Sequence, residues 1–370
     1  MITYIERKFK SILIKRKYID SWFWDRYGIN PYNGCQFGCI YCDSRSAKYH
    51  LPTDFENTII IKQNVREMLD QRLNRARTLI PDVVGIAGAC DPYQPAEKKY
   101  RNTRSCLEIL INHSYPVHII TKSPLVLEDR ALLEGIGKQS WCTVSVTITT
   151  INKERARFLE YRAPDPESRF KIIRGIKDNA SHIQVGVLII PIIPFLTDSK
   201  NELEELVKAS KVSGADYILF GSGLTMRDKQ ALWFLRHLRE RYPEVTSNYE
   251  NLYRFTYDPA LYRGTYQPLR KYVAEKNLLM KNLCEKHSLA CRIKRYIPDD
   301  YRKQNYRIAE HLLNQSYENQ ISGKTWTNIF WAGMNIQNLK EPIEEIAKRG
   351  DLKTVRNVNE SIEGFIYNNI

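Results

Sequence analysis

Between Gln63 and Phe220 the chain alternates two kinds of apolar pattern. Val65, Met68, Leu69, Leu73, Ala76 and Ile80 recur at three- and four-residue steps, which predicts a helix from about Gln63 to Thr78 that Pro81-Asp82 ends. Val83–Gly88 is instead a short continuous apolar run of the buried-strand kind. The alternation then repeats. Helices are predicted over Thr103–His113, Leu125–Glu134, Arg155–Tyr161, Asp165–Asn179 and Asn201–Val212. Strands are predicted over Val117–Thr121, Thr143–Thr149, Ile183–Ile190 and Tyr217–Phe220. Strands alternating with helices mean βαβ units and a parallel sheet. With a short first strand ahead of a cysteine-containing loop, the count is about six units. The expected fold is therefore α/β, a partial (β/α)6 TIM-type barrel.

Beyond Leu224 the pattern turns helical, over Arg227–Arg241, Pro268–His287, Tyr301–Tyr317 and near Glu341–Arg349. This part, 225–370, is expected to be a mainly helical C-terminal extension packed on the barrel's open side, with the core at 27–224. Residues 1–26 form a basic, aromatic-rich arm in which Lys8, Lys10, Lys15, Arg16 and Lys17 precede Trp22, Phe23 and Trp24. Base stacking with backbone attraction is one use of such an arm. A packing strap across a barrel end is the commoner one and is favoured.

Composition changes this picture in two respects. The 370 residues are 43% hydrophobic and 26% charged, ordinary for a soluble globular protein, and no apolar run is long enough to cross a membrane. The basic start lacks the apolar stretch of a signal peptide, and the eight cysteines show no disulfide-framework spacing, so a cytoplasmic location is expected. The net charge of +14, from 56 Lys and Arg against 42 Asp and Glu, fits a polyanionic partner such as nucleic acid and a basic solvated surface without function about equally, and nucleic acid leads only once the site chemistry is added.

The chemistry concentrates in the stretch from Gly28 to Arg45, GINPYNGCQFGCIYCDSR, where Cys35, Cys39 and Cys42 stand as C-x3-C-x2-C. Gly34 and Gly38 give the loop backbone freedom beside them. Three thiolates on one loop can hold three corners of a cubane iron–sulfur cluster and leave the fourth iron open. A Cys3His zinc site completed by His50 is the rival reading. Polar residues also fall at strand C-terminal ends, where such barrels carry their sites: Cys90, Asp91, Thr121, Lys122 and Thr149.

On these features the chain resembles the radical S-adenosylmethionine (SAM) superfamily, and more narrowly its spore photoproduct lyase-like, DNA repair photolyase-related branch. The segments that carry the resemblance are NPYNGCQFGCIYCDSR, ACDPYQPAEKKYRNTR, IITKSPLVL, VSVTITT, LEYRAPDPESRFKIIRGI and VGVLIIPIIP, from about Asn30 to Pro194. The resemblance implies a [4Fe–4S] cluster on Cys35, Cys39 and Cys42 and SAM on its open iron. One electron then cleaves SAM to a 5′-deoxyadenosyl radical that takes hydrogen from a substrate. It further implies that Tyr41 contacts the adenine through its backbone and that Asp91, Lys122 and Ser145 bind SAM's polar groups. Glu97 is a second candidate for the amino group, and Leu188 and Ile190 pack on the adenine.

Cys90 stands where the lyases carry a hydrogen-atom donor. Tyr41 keeps one of their tyrosines, whereas Asp43 replaces the relay tyrosine after the third cysteine, which argues against spore photoproduct itself as the substrate. Each position also has a plain structural use: a strand hydroxyl for Ser145, a turn for Asp91, a small buried residue for Cys90. An external one-electron reductant of flavodoxin or ferredoxin type is required, and Cys284 and Cys291 are too isolated to hold a second cluster. The resulting expectation is a radical SAM enzyme of lyase-like, C–C or C–H chemistry acting on nucleic acid. The alternatives are a peptide, RNA or small-molecule substrate, or a non-catalytic iron–sulfur or zinc protein that binds nucleic acid.

Overall fold

A computed structural model describes all 370 residues. The strands in chain order are β1 (Thr3–Lys8), β2 (Leu13–Lys15), β3 (Tyr27–Ile29), β4 (Tyr32–Asn33), β5 (Thr58–Gln63), β6 (Val84–Ile86), β7 (Val117–Thr121), β8 (Cys142–Thr147), β9 (Ile183–Ile192) and β10 (Ile218–Ser222). Seven of them form one sheet in the order β10-β9-β8-β7-β6-β3-β2. From β3 to β10 every neighbouring pair is parallel, and a helix lies between successive strands from β6 onwards. This is the expected open (β/α)6 barrel. The helix expected over Leu125–Glu134 is a 3-10 turn, Pro124–Asp129, followed by an α-helix over Arg130–Gln139.

Register explains why β8 carries alternating hydroxyls. Ser145 pairs with Ile120 on one side and Gly186 on the other, and Thr147 pairs with Leu188. Thr143, Ser145, Thr147, Gly186, Leu188 and Ile190 therefore share one face with His118 and Ile120. Val144, Val146, Val185, Val187 and Ile189, on the other face, are buried, and the helix Pro166–Lys177 packs against β8 and β9. Tyr217 crosses the first face to reach Ser145, and a Cβ on Gly186 would stand 2.6 Å from its ring. Only glycine fits there.

A second sheet, β1-β5-β4, was not legible from the pattern. Its centre is the run TIIIKQ of β5, which pairs in parallel with β1 (Thr3 opposite Thr58) and antiparallel with β4. This sheet changes the division of the chain. The first compact unit comprises Met1–Ile14 with Tyr27–Ile293, and the second comprises Lys15–Arg26 with Lys294–Ile370, in place of boundaries at 26 and 224. Two facts account for the shift. β1 belongs to a sheet rather than an arm, and the helix Arg270–Lys286 packs on β10 and the helix Lys200–Val212, closing the barrel's outer layer. In the second unit the segment 15–26 is a strap over helices. Arg26 donates to the Tyr306 hydroxyl at 2.7 Å, the Arg295 guanidinium lies over Trp24 and Tyr306, and Trp22 meets Tyr317 edge-on. No helix of the chain is long and apolar enough to cross a membrane.

Candidate active site

The cysteine loop follows β4 and is pinned through its backbone. Cys35 N–H donates to Phe55 O at 3.0 Å, Gly38 N–H to Cys35 O at 3.1 Å and Ile40 N–H to Leu159 O at 2.9 Å. Gly34 has φ +86°, and a Cβ there would stand 2.3 Å from Thr58 O, so the loop presses directly on β5. Gln36 and Gln94, both buried, lock it further: Gln36 N–H donates to Gln94 Oε1 at 2.9 Å, and Gln94 Nε2 to Gly34 O at 3.1 Å.

Arg45 is the strongest clamp. Its guanidinium donates to Cys39 O at 3.0 Å and Gly38 O at 2.9 Å, pairs with Glu56 at 2.8 Å, and lies between the rings of Phe55 and Trp233. A planar five-donor group does this where a lysine cannot. Sequence reasoning missed Arg45, Gln36 and Gln94 as loop-holding residues. Arg45 and Gln36 lie inside the quoted motif, but nothing in the spacing shows that they turn inward.

The three sulfurs themselves are free thiols, Cys35 and Cys39 buried and Cys42 partly so. Burial pushes the Cys39 thiol up to about 12 and Cys35 well above its ordinary value, so without a metal both stay protonated. No three His, Cys, Asp or Glu side chains anywhere in the chain converge closely enough for a single metal ion, and His50 is exposed. Three sulfurs on one clamped loop match the three thiolate ligands of a cubane whose fourth iron is open.

Around the loop the strand ends supply a buried polar cluster. Glu160 receives the hydroxyls of Tyr41 and, at 3.4 Å, Thr149; it pairs with Arg169 at 2.5 Å and with Lys122 at 3.9 Å. Glu160 and Arg169 are each only 1% exposed. Burial opposes ionisation of Glu160, but Arg169 and Lys122 overcome it and hold its pKa below the usual range. Lys122 is likewise desolvated, yet the carboxylates of Glu160 and Asp91 help raise its pKa, so it keeps its charge. Lys122, whose ammonium lies 5.9 Å from the Tyr41 ring centre, thus neighbours two carboxylates, Glu160 at 3.9 Å and Asp91, which accepts from its backbone N–H at 2.8 Å. Glu160 and Arg169 had no assigned role in the sequence reading, though both stand in LEYRAPDPESR.

The remaining expected residues divide. Asp91 N–H points at the Cys35 sulfur at 3.5 Å, but its carboxylate accepts from Thr121 Oγ1, Lys122 N and Tyr93 N at 2.7, 2.8 and 2.9 Å. It ties two strand ends together. Cys90 is buried next to it, donates to Tyr32 O at 3.0 Å, and is pushed up to about 12 by burial, so its S–H is retained. Tyr41 O accepts from Gln230 Nε2 at 3.2 Å, which fixes the backbone between the second and third cysteines. Leu188 is buried and Ile190 half-buried on the inner face.

Two expected SAM contacts have other employment. The Glu97 carboxylate accepts from the Tyr32 hydroxyl and from Thr103 N and Arg104 N at 3.0 and 3.1 Å, capping the helix Asn102–Asn112. Ser145 sits within the sheet, bonded to His118 at 2.7 Å and Tyr217 at 2.5 Å, while Thr147 and Thr149 occupy the end of that strand's path. Asp43 belongs to a different set of contacts from Glu160. It is partly exposed and receives Arg227, Tyr49 (2.6 Å) and Thr225 (3.1 Å).

Comparison with known proteins places this loop. The radical SAM superfamily model matches residues 29–208, which contain all three cysteines. An uncharacterized protein of Mycobacterium tuberculosis is 32% identical over 247 residues, 66% of this chain and 69% of the relative. The chain belongs to the radical SAM superfamily. An uncharacterized protein of Methanocaldococcus jannaschii shares 25% identity over 260 residues, 70% of this chain and 90% of the relative.

Among solved structures, a spore photoproduct lyase mutant with bound AdoMet and dinucleoside spore photoproduct superposes with a TM-score of 0.53 at 15% identity, covering 71% of this chain and 74% of the lyase. Another mutant of the lyase gives 0.55 at 14% identity, covering 77% and 79%. This likeness is one of fold. Membership makes the chain a radical SAM enzyme, for which SAM and an iron–sulfur cluster are the implied cofactors.

Proposed function

We propose that this radical SAM enzyme acts on nucleic acid, with Cys35, Cys39 and Cys42 holding a [4Fe–4S] cluster. The observation that carries the catalytic part is the clamped loop of three free sulfurs beside a buried polar cluster that keeps the Lys122 ammonium charged. When bound, cluster and SAM together supply a 5′-deoxyadenosyl radical once an external flavodoxin- or ferredoxin-type protein delivers an electron. The chain's own groups do the rest. Lys122 offers its charged ammonium to SAM's carboxylate. Thr147 and Thr149, at the end of β8's path, are the hydroxyls best placed for the ribose, and Leu188 and Ile190 offer an apolar surface for the adenine. Glu160 and Arg169 hold Tyr41 and Lys122 in register and keep water out of the interior. Cys90, protonated and buried beside the loop, is the candidate hydrogen-atom donor to a carbon radical on the substrate.

The nucleic-acid part is supported by the net charge of +14 and by a fold shared with a lyase that binds a dinucleoside photoproduct. Asp43, locked to Arg227 where the lyases have a relay tyrosine, favours a different lesion or base from that lyase's. The test is SAM cleavage by the anaerobically reconstituted enzyme with and without ultraviolet-damaged DNA. Nucleic acid should stimulate 5′-deoxyadenosine formation, and the stimulation should fade steeply with added salt. Equal cleavage with DNA, RNA or neither at any ionic strength would remove the nucleic-acid assignment and favour a peptide or small molecule.

A further inference from the structure

We propose that Tyr266 is a stacking platform for an unpaired nucleobase at the rim of the active site, and that the loop 254–264 tracks that strand's phosphates. This rests on the nucleic-acid reading above and deepens it. The loop has no helix or strand, yet it is built rather than slack. Tyr253 O accepts from both Thr265 N (2.8 Å) and Thr265 Oγ1 (3.1 Å), so the loop's ends meet, and Phe255 and Tyr262 pack edge-to-face inside it at 5.3 Å. Compact loops closed in this way are frequently functional.

Tyr266 emerges directly after that closure. Its backbone carbonyl accepts from Met226 N at 3.0 Å, and its hydroxyl accepts from Arg227 Nη2 at 3.0 Å. The Arg227 guanidinium also lies over the ring, 4.6 Å from its centre. One face of the ring is thus covered by a cation, and Tyr266 as a residue is still 45% exposed, which leaves the uncovered face as the one for a base. Arg227 in turn grips the Asp43 carboxylate, 3.0 Å from Nε and 2.7 Å from Nη2, and Asp43 follows the third cluster cysteine. A base on the open face would therefore be oriented, through two short charged contacts, relative to the cysteine loop.

The charge around the platform supports the same ligand. Arg254, Arg263, Arg270 and Lys271 are exposed and enter no ion pair. Elsewhere in the same region Arg236 and Arg241 are paired with Glu240 and Glu154. Unpaired cations flanking a half-exposed, pre-oriented ring are the two parts of a single-strand site, backbone attraction and a stacking face. A duplex would offer no free base face to the ring.

The experiment uses the full-length, cluster-reconstituted enzyme and a short single strand containing 2-aminopurine, as DNA and as RNA of the same sequence, with the paired duplex alongside. The unpaired strand should bind with strong salt dependence and its 2-aminopurine should be quenched, with the tighter of the two strands identifying the sugar. Tyr266→Ala should weaken binding roughly tenfold and abolish the quench, whereas Tyr266→Phe should stay within about twofold because stacking needs the ring and not the hydroxyl. Arg254→Ala/Arg263→Ala should lower the magnitude of the slope of log K against log salt by about 1.4, two phosphate contacts' worth for a single strand. Wild-type affinity and quench in Tyr266→Ala, with salt dependence intact, would overturn the platform and leave the nucleic-acid reading standing. Failure of the wild type to bind either strand would overturn both.

Discussion

Two carboxylates flank the cysteine loop, and they are held in opposite ways. Glu160 is 1% exposed and is enclosed by Arg169, Lys122, Tyr41 and Thr149. The Asp43 side chain is 29% exposed and is met by Arg227, Tyr49 and Thr225 at the rim. The inner pair bears a large desolvation cost that only its full set of partners offsets. It therefore tolerates no change of geometry, which suits the wall of a site that must hold a reactive group dry. The outer pair is cheap to rearrange because water can replace each partner. That suits a rim where a large substrate has to be admitted and aligned.

The comparison is broken most severely by removing one inner partner. Glu160→Ala leaves Arg169 charged and unpaired in the interior and should cost about 3–5 kcal/mol in denaturant unfolding. The double variant Glu160→Met/Arg169→Met should be less damaging to stability than either single change, since the closest buried pair is removed together and Lys122 keeps Asp91 beside it. If the single variant is as stable as wild type, the inner cluster is not the closed pair described. Next in size, Tyr41→Phe deletes a hydroxyl bonded to a buried carboxylate and should cost about 1.5–3 kcal/mol, measured in the same way. Its SAM affinity should fall as the loop between Cys39 and Cys42 loosens.

The rim should yield the smallest effect. Asp43→Asn should cost only about 1 kcal/mol, because the pair is partly screened by water. Burial by itself would raise the Asp43 pKa, but Arg227, Tyr49 and Thr225 together hold it below its ordinary value. A depressed folded-state pKa gives stability that is present above the ordinary aspartate value and is lost as pH falls through the folded one. The melting temperatures of wild type and Asp43→Asn should thus differ at pH 6 and converge as pH drops below about 4. A difference that persists or grows in acid would contradict the assignment.

The barrel was legible because its signal is local: each strand is a short apolar run, and each helix shows its stripe. The cysteine loop was legible because spacing alone carries its chemistry. Three things were not. β1 and β5 are far apart in the chain, and the run TIIIKQ has no alternation that marks a strand pairing with the first residues. Glu97 and Ser145 are of the right type at the right height, and each also carries structural bonds, to a helix N-terminus and to His118 and Tyr217. Type and position cannot show whether a polar group is already satisfied. Glu160, Arg169 and Arg45 were missed for the converse reason, since a buried charge looks like a solvated one until its partners are placed.

At the centre of the proposed chemistry is a cluster on Cys35, Cys39 and Cys42 with one open iron that binds SAM. Its most direct measurement is electron paramagnetic resonance of the anaerobically reconstituted, dithionite-reduced protein before and after SAM addition, with 5′-deoxyadenosine assayed in the same samples. The prediction is a reduced-cluster signal that SAM alters, with 5′-deoxyadenosine formed; alanine at Cys35, Cys39 or Cys42 abolishes both, and alanine at Cys90 abolishes neither. An intact cluster whose signal ignores SAM and yields no 5′-deoxyadenosine would contradict it.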